Sequence, residues 1–199
     1  MSVCYGSMRI AGKPMMLRMA CGLALLHALS VHAADHFAVS AEPRGTAVAV
    51  DARATLAVPY GVIWGTLTDY GRLAEFIPGM QSSRIAERRG ATAIVEQHGK
   101  AGIFPFSYGI DVVVASTEES PGTIEMHAIK GNLKQLSGHY RVDSGGKDGI
   151  WVLRWIGLIE PTLPVPHFFG VPIIRDNIAE QFRGMVDEIE RRALLAVRG

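Results

Sequence analysis

The chain has 199 residues, 48% hydrophobic and 20% charged, with a formal net charge of +1. That balance fits one globular domain with a sizeable core and excludes a disordered chain. Arg9, Lys13 and Arg18 stand before residue 34 without an acidic partner; beyond them the balance turns slightly acidic, so no basic patch argues for nucleic acid.

Residues 1–33 read as an export signal. Lys13 and Arg18 give a positive start, Ala20 to Leu29 is apolar, and Val31-His32-Ala33 is of the cleavage-site type. The apolar run is too short for a permanent span. Met16 is an alternative start. The expectation is a periplasmic or secreted protein, with an uncleaved membrane anchor as the alternative. Cys4 and Cys21 both lie in this segment, so disulfides, thiolate chemistry and cysteine metal sites are excluded for the mature chain.

Residues 34–45 read as a mixed leader without regular structure. From Thr46 to Val58 the sequence alternates, with Val48, Val50, Ala52, Ala54 and Leu56 on one face, which predicts a half-buried strand. Pro59 ends it. Val62, Ile63, Trp64, Leu67, Leu73, Phe76 and Ile77 then mark two short helices, broken near Asp69 to Gly71, with Asp69 as a helix cap. Six strands follow between turn signals: 81–88, 91–100, 105–117, 123–130, 133–142 and 149–160. Gly99 to Gly102 reads as a loop too poor in glycine to cradle phosphate. Pro161, Pro164 and Pro166 stiffen the next connection.

Residues 172–197 carry the longest helical pattern. Ile174, Ile178, Phe182, Met185 and Ile189 form one stripe, charged residues take the other side, and Pro172 suits the first helical position. A stripe of that length needs a wide, curved sheet as its partner. With no internal repeat and no second core, residues 46–197 form one α+β domain.

Chemistry-bearing motifs are sparse. His98 and His127 share the parity of charged neighbours and belong on the surface; His139, beside Tyr140, is placed at a pocket border; His167 has no ligand spacing. Glu96 and Asp111 are candidates to face each other on adjacent strands. No G-x-S-x-G, P-loop or Rossmann signature occurs. Asp69 with Tyr108 or Tyr140 is the best acid–base set available.

The order of elements is specific. The segment VDARATLAVPYGVIWGTLTDYGRLAEFIPGM (50–80), then GNLKQLSGHYRV (131–142) and IEPTLPVPHFFGVPIIRDNIAEQFRGMVDEIE (159–190), resembles the START-like superfamily, closest to its polyketide cyclase/dehydrase and coenzyme Q-binding branches. The resemblance implies a helix-grip fold: a curved antiparallel sheet wrapped around a long C-terminal helix, with two short helices after the first strand. It also implies a cavity between sheet and helix. The residues expected to line it are Phe106, Tyr108, Ile110, Met126, Tyr140, Trp151, Leu153, Trp155, Ile178, Phe182 and Met185, with Tyr108, Tyr140 and Arg154 orienting a ligand. The implied activity is binding or carriage of a hydrophobic small molecule (a lipid, quinone or polyketide-like compound). No catalytic residue, cofactor, metal or protein partner is nominated. The alternatives are a cyclase or aromatase with an acid–base pair in the cavity, and an envelope interaction module with a filled core.

Overall fold

The computed structural model describes Met1 and residues 36–103, 106–119, 121–162 and 166–198, without the side chains of Ile103, Phe106 and His167. The export-signal reading falls in residues 2–35, outside the described residues.

The alternating apolar pattern builds one eight-stranded antiparallel sheet. Phe37–Arg44 (β1) and Ala47–Leu56 (β2) form a hairpin, turned at Gly45 with φ 60°. The stretch read as a leader is therefore the first strand. Its apolar alternation is only Phe37, Val39 and Ala41, too little to recognise alone. Pairing Phe37 with Ala54 and Val39 with Ala52 brings it onto the core face of β2.

Tyr60–Leu67 (α1) and a 3₁₀ helix, Tyr70–Glu75, follow, broken at Thr68–Asp69. Asp69 precedes the 3₁₀ helix but makes no capping bond. Its carboxylate instead accepts from Arg192, at 2.9 Å.

The meander is Met80–Arg89 (β3), Thr92–Ile103 (β4), Phe106–Glu119 (β5), Thr123–Gly131 (β6), Leu133–Ser144 (β7) and Trp151–Pro161 (β8). The sheet order is β1-β2-β8-β7-β6-β5-β4-β3, so β8 closes back onto β2. The expected loop at Gly99 to Gly102 is strand: Gly99 pairs with Ile110 and Gly102 with Ser107. Cross-strand bonding there outweighs the weak strand preference of glycine.

The last helix, His167–Arg198 (α2), has 32 residues and extends about 48 Å at ~1.5 Å per residue. It begins before the predicted Pro172, which lies inside it. A proline at that position deprives only the Phe168 carbonyl, four residues back, of its donor. Phe168 is in the exposed first turn, where water substitutes. Phe182, Met185 and Ile189 of the stripe are buried against the sheet, in a core with Val50, Leu56, Ile63, Val95 and Leu153. Each such side chain contributes about 1.5–3 kcal/mol by leaving water. The fold is the α+β helix-grip arrangement. Among the described residues no helix is long and apolar enough to cross a membrane.

Candidate functional site: a two-chambered cavity

The helix does not fill the curve of the sheet. Two adjoining chambers remain. The outer one, about 150 Å³, lies between Ile173, Ile174 and Asn177 of α2 and Ala101, Ile110, Val112 and Leu133 of the sheet. The deep one, about 130 Å³, lies between Phe182 and Met185 of α2, Tyr70, Leu73 and Ile77 of the short-helix region, and Ile124, Met126, Tyr140 and Trp155 of β6–β8. Met80, Gln97, Leu136, Ile178 and Gln181 border both and form the partition between them.

Of the residues expected to line a cavity, Ile110, Met126, Tyr140, Trp155, Ile178, Phe182 and Met185 do so. Three others border neither chamber. The Tyr108 hydroxyl donates to the Asn132 carbonyl at 2.7 Å, tying two strand ends together. Leu153 is fully buried core. Trp151 packs on Tyr60 of α1, with ring centroids 5.1 Å apart. Leu153 and Trp151 share the inward face of β8 with Trp155 but lie towards the end that α1 covers. The side chain of Phe106 is outside the described residues.

The polar expectations change more. Arg154 alternates with Leu153 and Trp155, so it points away from the cavity. It forks onto Asp51 across β2, with Nε to Oδ1 at 3.0 Å. Each partner shifts the other: the Arg154 hydrogen bond holds the Asp51 carboxyl below its usual range. His139 is likewise on the outer face, its Nδ1 4.0 Å from Glu125. Glu96 and Asp111 do not face each other. Glu96 pairs with Arg84, and Asp111 Oδ1 lies 2.6 Å from His98 Nδ1, because the β4–β5 register sets His98 opposite Asp111. Asp69 is held by Arg192 and lines neither chamber, so the acid–base set with Tyr108 or Tyr140 is not assembled.

Gln97 and Gln181, passed over in the sequence, carry amides to the partition. A signal was present: Gln97 shares the inward parity of Val95, and Gln181 follows Ile178 by three on the helical stripe.

The deep chamber is mostly apolar with donors set into it. Burial alone pushes the Tyr140 hydroxyl up to about 12. Tyr70 is pushed up first by burial of its hydroxyl and then by the neighbouring Glu118 carboxylate. Among the described residues the Trp155 indole N–H donates to the Met126 thioether at 3.4 Å, a weak acceptor. Tyr70 and Tyr140 are the titratable side chains among the described residues of this chamber, and both stay protonated at neutral pH. The chamber therefore offers O–H and N–H donors and no general base. Among the described residues no group of three or more His, Cys, Asp or Glu could hold a metal ion.

A curved sheet gripping a helix over an apolar, donor-bearing cavity defines a small-molecule-binding domain. The family described as polyketide cyclase / dehydrase and lipid transport matches residues 56–183, and the chain belongs to it. It is a START-like domain of the hydrophobic-ligand-binding or cyclase kind.

Solved structures repeat the fold at low identity. The Zhui aromatase/cyclase from Streptomyces sp. R1128 superposes with a TM-score of 0.62 at 14% identity, over 73% of this chain and 95% of that one. A STAR-related lipid transfer protein from Xanthomonas axonopodis gives 0.62 at 9% identity, over 78% and 99%. Human STARD10 gives 0.60 at 10% identity, over 78% and 73%. No curated protein matches the chain by sequence.

Proposed function

We propose that the protein carries or senses an elongated apolar small molecule bearing acceptor oxygens, as a quinone, a polyketide-like compound or an oxygenated lipid does. The observation that carries this reading is the donor set of the deep chamber. Tyr140 is protonated, the Trp155 N–H meets no better acceptor among the described residues than a thioether, and two glutamines stand at the partition. A pure hydrocarbon would leave these donors unsatisfied, at a cost of about 1–3 kcal/mol each. A carbonyl or ether oxygen satisfies them while the rest of the molecule is buried at about 25 cal/mol per Å². The deep chamber, among its described residues, lacks a base, which favours binding over turnover there; a cyclase would have to use His98, which borders the outer chamber with Asp111 2.6 Å from its Nδ1.

The protein acts in this reading after export, in the periplasm or outside the cell. The support is the basic, then apolar, then Val31-His32-Ala33 order at the start of the chain. Native mass spectrometry of protein purified from its own cell envelope tests both parts. The expected species begins near Ala34 and retains a copurified oxygenated apolar ligand. A cytoplasmic product retaining residues 16–33 would overturn the export reading. An empty protein that also fails to take up added quinones or oxygenated lipids would overturn the carrier reading, and turnover of an added polyketone would replace it with a cyclase.

A further inference from the structure

Phe168 and Phe169, in the first turn of α2, are 72% and 59% exposed, with ring centroids 4.1 Å apart. Single exposed apolar side chains are ordinary, but two adjoining aromatic rings held in water form a patch that invites a partner. Their backbone is part of a hydrogen-bonded turn. The amides of Phe169 and Gly170 both donate to the Pro166 carbonyl, at 3.0 and 2.9 Å. The rings are thus presented outward by a formed turn.

The patch adjoins the cavity. One to two turns further along α2, Ile173, Ile174 and Asn177 line the outer chamber, whose rim includes the exposed Lys100. Asn177 Oδ1 accepts the Gly102 amide at 3.2 Å, fastening the helix to β4 at that rim. The sequence on both sides lacks charge: residues 161–174 and 101–110 contain no Asp, Glu, Lys or Arg.

We propose that the Phe168–Phe169 tip docks on a lipid bilayer and holds the mouth of the outer chamber against it. A projecting pair of rings suits a bilayer, which yields around an inserted side chain and needs no matching groove. The charge-free run in sequence around it brings no ion to be desolvated, and Lys100 at the chamber's rim can meet headgroup phosphates. An apolar ligand then passes between bilayer and chamber without crossing water. Two rings are a small anchor, so docking is reversible. The inference goes beyond the ligand assignment, and its test contains no ligand, so either can fail alone.

The test uses the full chain and vesicles of phosphatidylcholine and phosphatidylglycerol in equal parts. In a Phe168→Trp variant, emission relative to wild type should shift to the blue on vesicles and be quenched by lipids brominated on the acyl chains. Phe168→Ser/Phe169→Ser should lower cosedimentation with the vesicles by about tenfold. Residues 1–33 are common to all three proteins, and the lipid concentration is set so that wild type is only partly bound, where loss of the tip is read on top of whatever those residues contribute. Absence of quenching overturns the proposal, as does unchanged cosedimentation of the double variant. A blue shift that appears without vesicles and grows with protein concentration also overturns it, because the tip would then seat against a second copy of this chain. If the double variant fails to fold, quenching of the Phe168→Trp variant decides alone.

Discussion

Gly138 of β7 and Gly157 of β8 stand directly opposite each other on the cavity face of the sheet. A Cβ on Gly157 would come within 2.6 Å of Trp155 Cζ2 and 2.9 Å of the Ser137 carbonyl oxygen, so the indole lies across the space that this glycine leaves open. One on Gly138 would run into the Ile156 carbonyl. The glycine pair lets the two strands approach and lays Trp155 along the wall of the deep chamber.

Gly157→Ala must therefore displace the indole. The expected cost is about 1–3 kcal/mol in stability, as for other overpacked sites. Tryptophan emission should change, and ligand affinity should fall. Urea unfolding and fluorescence spectra of the variant check this; emission identical to wild type would show that Trp155 does not rest on Gly157.

Arg192 links parts of the chain that the sheet does not join. Its Nη2 donates to Asp69 at 2.9 Å and its Nε to Glu188 at 2.7 Å, while the guanidinium lies over Phe76, 5.4 Å from the ring centroid. The end of α2 is so fastened to the break between the short helices, whose Tyr70 and Leu73 wall the deep chamber. Arg192→Ala should cost about 1–3 kcal/mol, because Glu188 and Asp69 each lose a charged donor in a partly buried place. Arg192→Lys should recover only part, since an ammonium cannot fork to both carboxylates. Denaturant midpoints of the two variants measure the difference.

The same clasp predicts an acid dependence. Hydrogen bonds from Arg191, with those from Arg192, hold the Glu188 carboxyl at about 2 against desolvation that would raise it. A folded-state value below the unfolded one means stability that is present at neutral pH. It begins to fall as pH drops below about 4.3, the unfolded value, and is lost as pH passes through about 2. Wild type should therefore lose stability faster than Glu188→Gln between pH 4.5 and 2, and the two curves should converge at the acid end. Other paired carboxylates titrate in both proteins, so the difference between the curves isolates Glu188. Parallel curves would show that Glu188 is not stabilised in its charged form.

Phe182 belongs both to the core and to the deep chamber, and its ring meets Phe37 of β1 at 5.6 Å between centroids. Truncation of a fully packed phenylalanine costs about 3–5 kcal/mol. Here one side already faces open space, so Phe182→Ala should cost about 3 kcal/mol, the low end, while ligand affinity falls by a larger proportion than stability. Equilibrium unfolding alongside fluorescence titration with a quinone separates the two effects; a loss of stability with unchanged affinity would place the ligand elsewhere.

Which side chains share a face was legible; which face meets the cavity, and where along it, was not: Arg154 and His139, expected at the pocket, point away from it. The alternation of Ile124 and Met126, or of Trp151, Leu153 and Trp155, sets those residues on one face. It does not say whether α1 or α2 lies above it, so Trp151 was grouped with Trp155 although one meets Tyr60 and the other borders the deep chamber. The Asp69–Arg192 bond was illegible for another reason. Its partners are 123 residues apart, and nothing local marks either. β1 was missed because three small alternating residues gain meaning only when paired with β2. Gln97 and Gln181 are legible as polar residues on the faces of Val95 and Ile178, but an uncharged amide has no ionisable group to mark it as chemistry.

Tyr140 gives the sharpest separation of binding from folding. Its hydroxyl is raised by burial alone, with no charged or hydrogen-bonded partner contributing to the shift. Removing an oxygen that has no hydrogen-bond partner among the described residues gives up no internal bond there, so Tyr140→Phe should leave stability unchanged or slightly higher. The ring stays, and with it the packing beside Trp155, 6.4 Å away between centroids. What disappears is a donor offered to the ligand. A hydrogen bond of about 0.5–1.5 kcal/mol corresponds to a loss of roughly 2- to 12-fold in affinity for an oxygenated ligand. A hydrocarbon of the same shape should bind the variant as well as wild type, or better, because it no longer buries an unpaired hydroxyl. Titration of both proteins with a matched pair of ligands, one bearing the carbonyl and one lacking it, reads this directly. Equal loss for both would mean that Tyr140 shapes the chamber and does not recognise oxygen, and the assignment of an acceptor-bearing ligand would then have to rest on Trp155 and the two glutamines.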